Sequence, residues 1–146
     1  MPRTTADIDF IVRVSSKDLQ KFIRTLERSE LRFVSNTIKR QLKTGYNIIS
    51  LQDKRSPYRA DFIVQRDRIP RVKGSLLGLP AHYQTPESLI LAKLRMIRAT
   101  LSPERSVKDK NDVLAILANT GVDVRRIERL ARKDGTLDIF TKIQLS

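Results

Sequence analysis

Apolar positions along this chain change period several times, and each change predicts an element. Asp7-Ile8-Asp9-Phe10-Ile11-Val12 alternates and then turns apolar and β-branched, which predicts a strand over Asp7–Val14. From Leu19 the spacing becomes helical: Leu19, Phe22, Ile23 and Leu26 share one face, with basic residues on the other. Ser15-Ser16-Lys17-Asp18 ahead of it reads as a serine cap with an acid three residues on, so a helix is predicted over about 16–28. In the weaker stretch 31–45, Ser35-Asn36 caps a short predicted helix through Lys43, stopped by Gly45. Tyr46–Leu51 and Tyr58–Gln65 read as strands, and the polar 52–57 linker between them, ending in Pro57, predicts a hairpin. Residues 66–84 read as a loop rich in Arg, Pro and Gly, with a short strand at 81–84.

Helices dominate from residue 85 onward. Thr85-Pro86-Glu87 is a cap followed by proline at the first helical position, and Ile90, Leu94, Ile97 and Leu101 form the stripe behind it. Ser106-Val107-Lys108-Asp109 opens a second helix to about Ala118, ended by Gly121. Asp123 caps a third, carrying Val124, Ile127, Leu130 and Ala131 and closed by Gly135. Leu137–Leu145 is amphipathic as either helix or strand. The order predicts an α+β fold in one domain: a small mixed sheet with helices over 1–84, then a helical part over 85–146.

A chain of 146 residues, 40% hydrophobic, is long enough for one real core. With no cysteine and the single His82, neither a disulfide framework nor a thiolate or His-rich zinc site can form. No apolar run approaches the ~20 residues of a membrane span and no signal peptide opens the chain, so a cytoplasmic protein without a membrane partner is expected. The charge is lopsided. Residues 1–73 hold 17 Lys/Arg against 8 Asp/Glu and residues 74–146 hold 12 against 8, so +9 of the net +13 lies in the first half. Such an excess favours polyanions, nucleic acid or a nucleoside triphosphate; a basic proteome or a thermophile's charged surface is the plainer reading.

Against that background the carboxylates stand out. On a strand Asp7 and Asp9 share a face, where they repel each other unless a cation lies between. A hard ion such as Mg²⁺ or Mn²⁺, bound by carboxylates, water and phosphate oxygens, would relieve the repulsion; a solvated strand start would tolerate it. Asp61, between Ala60 and Phe62-Ile63-Val64, either faces solvent or needs a partner. Lys93 lies beside the apolar stripe and either snorkels to water or has a function. Lys108 and Asp112, at i and i+4, can pair on a solvated face. The glycines of 66–84 are isolated, with no phosphate-loop spacing.

Arg3-x-Thr5-x-Asp7-Ile8-Asp9 running into Phe10-Ile11-Val12, a later Asp61, Pro86-Glu87-Ser88-Leu89-Ile90-Leu91-Ala92-Lys93-Leu94 and Lys108-Asp109 with Asp112 together resemble the polymerase-β-like nucleotidyltransferases, most of all their small AbiEii/AbiGii toxin-like branch. The resemblance runs from Arg3 to about Gly135. It implies that Asp7, Asp9 and Asp61 are the metal-binding and catalytic carboxylates on neighbouring strands. It also implies that Arg3, Thr5, Lys93 and Lys108 contact the nucleotide, and that Mg²⁺ or Mn²⁺ is the cofactor. The implied reaction transfers a nucleoside monophosphate from an NTP to a hydroxyl, with RNA, and tRNA in particular, as an acceptor and a toxin–antitoxin setting. One departure stands: the family's G-G or G-S motif, about ten residues before the D-x-D, has no counterpart in the six residues ahead of Asp7. The resemblance then implies a shortened enzyme with an open sheet edge, covered by a second copy or a partner chain. The alternative is a catalytically impaired relative that acts as a basic domain binding nucleic acid or a partner.

Overall fold

The computed structural model describes residues 7–44, 47–65, 68 and 70–146. Arg3 and Thr5, the Gly45 stop, Tyr46 and Arg66 lie outside the described residues. Helices and mixed sheets make an α+β protein, as its periodicities predict. The chain divides into two compact units, Met1–Ile69 and Pro70–Ser146, so residues 70–84 go with the helices.

The first unit is a four-stranded sheet with helices on one face. Its elements are β1 (Asp7–Arg13), α1 (Leu19–Glu27), β2 (Leu31–Arg32), α2 (Ser35–Lys43), β3 (Ile48–Asp53) and β4 (Arg59–Gln65). The spatial order is β1-β4-β3-β2, with β1 parallel to β4 and the other neighbours antiparallel. In register, Ile8, Phe10 and Val12 stand opposite Ala60, Phe62 and Val64, and Ile49 and Leu51 opposite Phe62 and Ala60. These positions define the face that α1 and α2 cover: Ile23, Leu26 and Ile38 cluster with Ile49 and Leu51, and Phe62 and Val64 pack against them. Phe10 stacks on Phe62 at 5.1 Å, and Phe22 meets Phe62 edge-on. Period-two alternation therefore sends the odd-numbered residues of β1 and β4, Asp7, Asp9 and Asp61 among them, to the other face.

Helix α1 begins at Leu19, later than predicted, because Asp18 turns back. Its carboxylate accepts hydrogen bonds from the Ser15 amide and hydroxyl and closes a turn ahead of the helix. Those bonds, led by the hydroxyl, hold the Asp18 carboxyl below its usual range.

The second unit holds a hairpin and four helices. The loop predicted over 66–84 is instead largely a β-hairpin, β5 (Arg71–Leu76) and β6 (Leu79–Gln84). Its two-residue turn has Leu77 at φ 51° and Gly78 at φ 80°, the left-handed pair that a tight hairpin needs. Glycine takes that geometry freely; an exposed leucine at 96% accessibility does not, so the turn carries little sequence signature. Tyr83 lies over Gly74, where a Cβ would meet the ring at 2.7 Å, and its hydroxyl donates to the Ser75 carbonyl.

Helix α3 (Pro86–Ala99) starts as predicted, with the Thr85 hydroxyl accepting from the Ser88 amide. It stops before Leu101, which is fully exposed and leaves the predicted stripe. Helix α4 (Pro103–Asn119) starts a turn earlier than the predicted Ser106 box, at a second cap-then-proline signal, Ser102-Pro103. Helix α5 (Val124–Asp134) has its Asp123 cap and a left-handed Gly135 close, and Leu137–Gln144 resolves as a helix, α6. Ile90, Leu94, Val113, Ile127, Ala131 and Phe140 form the helical core.

Candidate functional site

Among the described residues, aspartates gather in both units. In the sheet unit the parallel register sets Asp9 directly opposite Asp61 and Asp7 opposite Arg59, and the antiparallel register adds Ser50 opposite Asp61. The face away from α1 and α2 thus carries a polar row Asp9–Asp61–Ser50. It is flanked by the row Asp7–Arg59–Gln52 on one side and the apolar row Ile11–Ile63–Ile48 on the other. All three sequence-predicted carboxylates share this face. Like charges directly opposite on paired strands destabilise a sheet, and none of the three is ion-paired with a described residue. Asp61 is half-buried, and its Oδ1 is shielded from solvent without a hydrogen-bond partner. A buried carboxylate oxygen left without a partner is costly unless something external completes it.

The donor set suits a hard cation: carboxylate oxygens with a hydroxyl in the same row, and no nitrogen or sulfur ligand. Asp7 and Asp9 themselves are exposed. Among the described residues no three such groups are already drawn together closely enough to hold a metal ion.

In the helical unit the Lys93 ammonium of α3 lies 2.7 Å from Asp109 and 2.9 Å from Asp112, both on α4. Asp109 and Asp112 are three apart, so one helix face presents both carboxylates to one ammonium. Burial pulls the Lys93 ammonium down, but the hydrogen bonds to Asp109 and Asp112 outweigh it and hold Lys93 above the usual lysine range. Asp109 keeps only 3% of its side chain exposed, and its Oδ2 has no partner. Asp112, which the sequence could pair with Lys108, is engaged by Lys93 from α3, and Lys108 is exposed on α4.

Arg59 and Ser50 are the site-face residues that sequence reasoning missed. Their signal is register alone: neither stands out until β4 is known to lie between β1 and β3. No family model matches the chain, and no curated protein or solved structure is significantly similar to it.

Proposed function

We propose that this chain is a metal-dependent nucleotidyltransferase-like protein that moves a nucleoside monophosphate from an NTP to an acceptor hydroxyl, with RNA the first acceptor to test. The observation that carries the reading is the in-register pair Asp9–Asp61, with Asp7 on the same face and an unpartnered, shielded oxygen on Asp61. Asp7, Asp9 and Asp61 would hold Mg²⁺ or Mn²⁺. The bound ion supplies charge neutralisation at the phosphates and a more acidic acceptor hydroxyl.

The chain's own residues do the rest. The acceptor oxygen forms a bond to the α-phosphorus, the bond to the pyrophosphate oxygen breaks, and the Asp61 carboxylate takes the hydroxyl proton. Arg59, in register with Asp7, sets a guanidinium at the rim of the carboxylate face, where it can meet phosphate oxygens. Of the two lysines in the resembled pattern, Lys108 has the freer ammonium for a phosphate contact, since Lys93 already holds two carboxylates.

The test is transfer of label from each of the four NTPs to RNA, with Mg²⁺ and with Mn²⁺. Incorporation should vanish in Asp9→Asn and Asp61→Asn. Equal incorporation by wild type and both variants would overturn the reading, as would none by wild type on RNA or on protein acceptors.

A further inference from the structure

We infer that α5 is a nucleic-acid-binding face that grips the phosphodiester backbone of RNA. The choice of RNA rests on the proposed transferase function; the grip on phosphate rests on α5 itself. Eleven residues of α5 contain Arg125, Arg126, Arg129, Arg132 and Lys133, all exposed. At about 100° per residue these five fall within an arc of roughly 120°. The arc is centred opposite Ile127 and Ala131, which are fully buried in the core. No acid lies in the arc: Glu128 is on a flank and half-buried, and Asp134 at the C-terminal end is held by Arg95. Among the described residues none of the five cations is ion-paired.

Helix stability accounts for only part of this arrangement: Arg132 and Lys133 in the last turn suit the helix dipole, and the rest do not. The other helices of the unit place an acid in the first turn, Glu87, Glu104 and Asp138, where the helix dipole favours it. The first turn of α5 has no acid and holds Arg125 and Arg126 against the dipole. Arg125 with Arg129, and Arg129 with Lys133, are like charges at i and i+4, which weaken a helix further. Arginines against the dipole in the first turn and like charges repeated along one face, on a helix whose cap and buried face follow the usual rules, point to an external anion.

That anion is a phosphate backbone. Four of the five cations are arginines, whose planar fork fits phosphate oxygens in pairs. Five cations over about 12 Å of helix suit an extended polyanion better than a single small ligand. The arc has no aliphatic or aromatic residue to insert into a bilayer, as an interfacial helix would need.

The experiment is fluorescence anisotropy of the full chain in EDTA, with a short labelled RNA as single strand and as duplex. Salt is varied from about 50 to about 200 mM. Arg125→Gln/Arg129→Gln/Arg132→Gln should lower the slope of log K on log salt by about 2 for single strands, at about 0.7 per phosphate contact. The affinity lost across that salt range then shrinks by about 20-fold. The arm with the higher wild-type affinity at matched salt identifies the favoured form of RNA.

Lys21→Gln/Arg24→Gln/Arg28→Gln, which removes the same charge around α1, should leave the slope in place. An unchanged slope in the α5 variant overturns the inference, and so does an equal fall in the α1 variant. Binding to phosphatidylserine vesicles that depends on α5, with no effect on RNA, also overturns it. The α5 variant should melt no lower than wild type, because repulsion is relieved. If it does melt lower, Arg129→Gln alone decides, with a fall of about 0.7 expected. RNA bound through α5 without NTP transfer leaves this inference standing while the transferase reading falls; transfer to protein without RNA binding does the reverse.

Discussion

The two units collect aspartates in opposite ways. On the helical side Asp109 and Asp112 have an ammonium built in, Lys93 at 2.7 and 2.9 Å. On the sheet side Asp7, Asp9 and Asp61 share a face with no described cation in ion-pair contact, and an oxygen of Asp61 is shielded without a partner. Two carboxylates set opposite each other on paired strands, as Asp9 and Asp61 are, cost stability, whereas two that share a lysine cost much less. The difference teaches where to look for chemistry: the lysine-bridged cluster can hold two helices together even though Asp109 Oδ2 lacks a partner, and the one with no cation among the described residues asks for a ligand.

The comparison breaks most visibly at Lys93. Lys93→Met leaves Asp109 buried without its countercharge, which should cost about 3 kcal/mol, the low end for a broken buried pair because Lys93 keeps 21% of its side chain exposed. Hydrogen exchange in α3 and α4 reads the loss locally, and Lys93→Met/Asp109→Asn should recover most of it. If Lys93→Met is neutral, Lys93 is not what holds the helical cluster together.

Next comes metal. At ten times its dissociation constant Mn²⁺ should stabilise the sheet unit by about 1.4 kcal/mol. The gain should disappear in Asp9→Asn and Asp61→Asn and survive in Arg125→Gln/Arg129→Gln/Arg132→Gln. A wild-type melting curve indifferent to Mn²⁺ and NTP together would make the sheet cluster as inert as the helical one.

Without metal, Asp9→Asn should stabilise the sheet by about 0.5 kcal/mol, since it removes a like-charge pair across strands. A urea midpoint that falls instead would mean that Asp9 is already compensated.

The smallest effects are in pH. Lys93 is raised in the folded state, so its contribution is complete below the ordinary lysine range and is lost as pH rises through the folded value. Asp18 and Asp53 are lowered, by Ser15 and by Ser56 first of all, so theirs is present above the ordinary carboxylate range and lost as pH falls through the folded value. Local exchange should therefore loosen α3 and α4 on the alkaline side, and the starts of α1 and of the β3–β4 connection on the acid side. Alkaline loosening that persists in Lys93→Met would assign it to another group.

What the sequence made legible was local chemistry. Thr85-Pro86, Asp123 and Gly135 mark helix ends by their own side chains and conformations, and they appear where expected. The alternation of Asp7 and Asp9 is likewise a property of one strand. The misses required knowledge of neighbours. The start of α4 reads from the sequence at the Ser106–Asp109 box, whereas Ser102 caps the helix a turn earlier with Pro103 at its first position. The hairpin was hidden because Gly74 and Pro80 interrupt its alternation and Leu77 occupies a turn position that glycine or asparagine usually marks. Arg59 opposite Asp7 and Lys93 between two α4 aspartates are contacts between elements, invisible to spacing along one element.

The parallel pairing of β1 with β4 also has a kinetic consequence. Asp9 and Asp61 are 52 positions apart in the chain, while β3 and β4 meet across the short connection 54–58. Closing the long loop costs more chain entropy, and it brings like charges together, so the hairpin should form early and β1 should dock late. Substitutions in β1 should then change the unfolding rate and leave the refolding rate nearly untouched. The face that bears the carboxylates is the last part of its unit to assemble and the first to open, and a bound cation would act chiefly by slowing that opening.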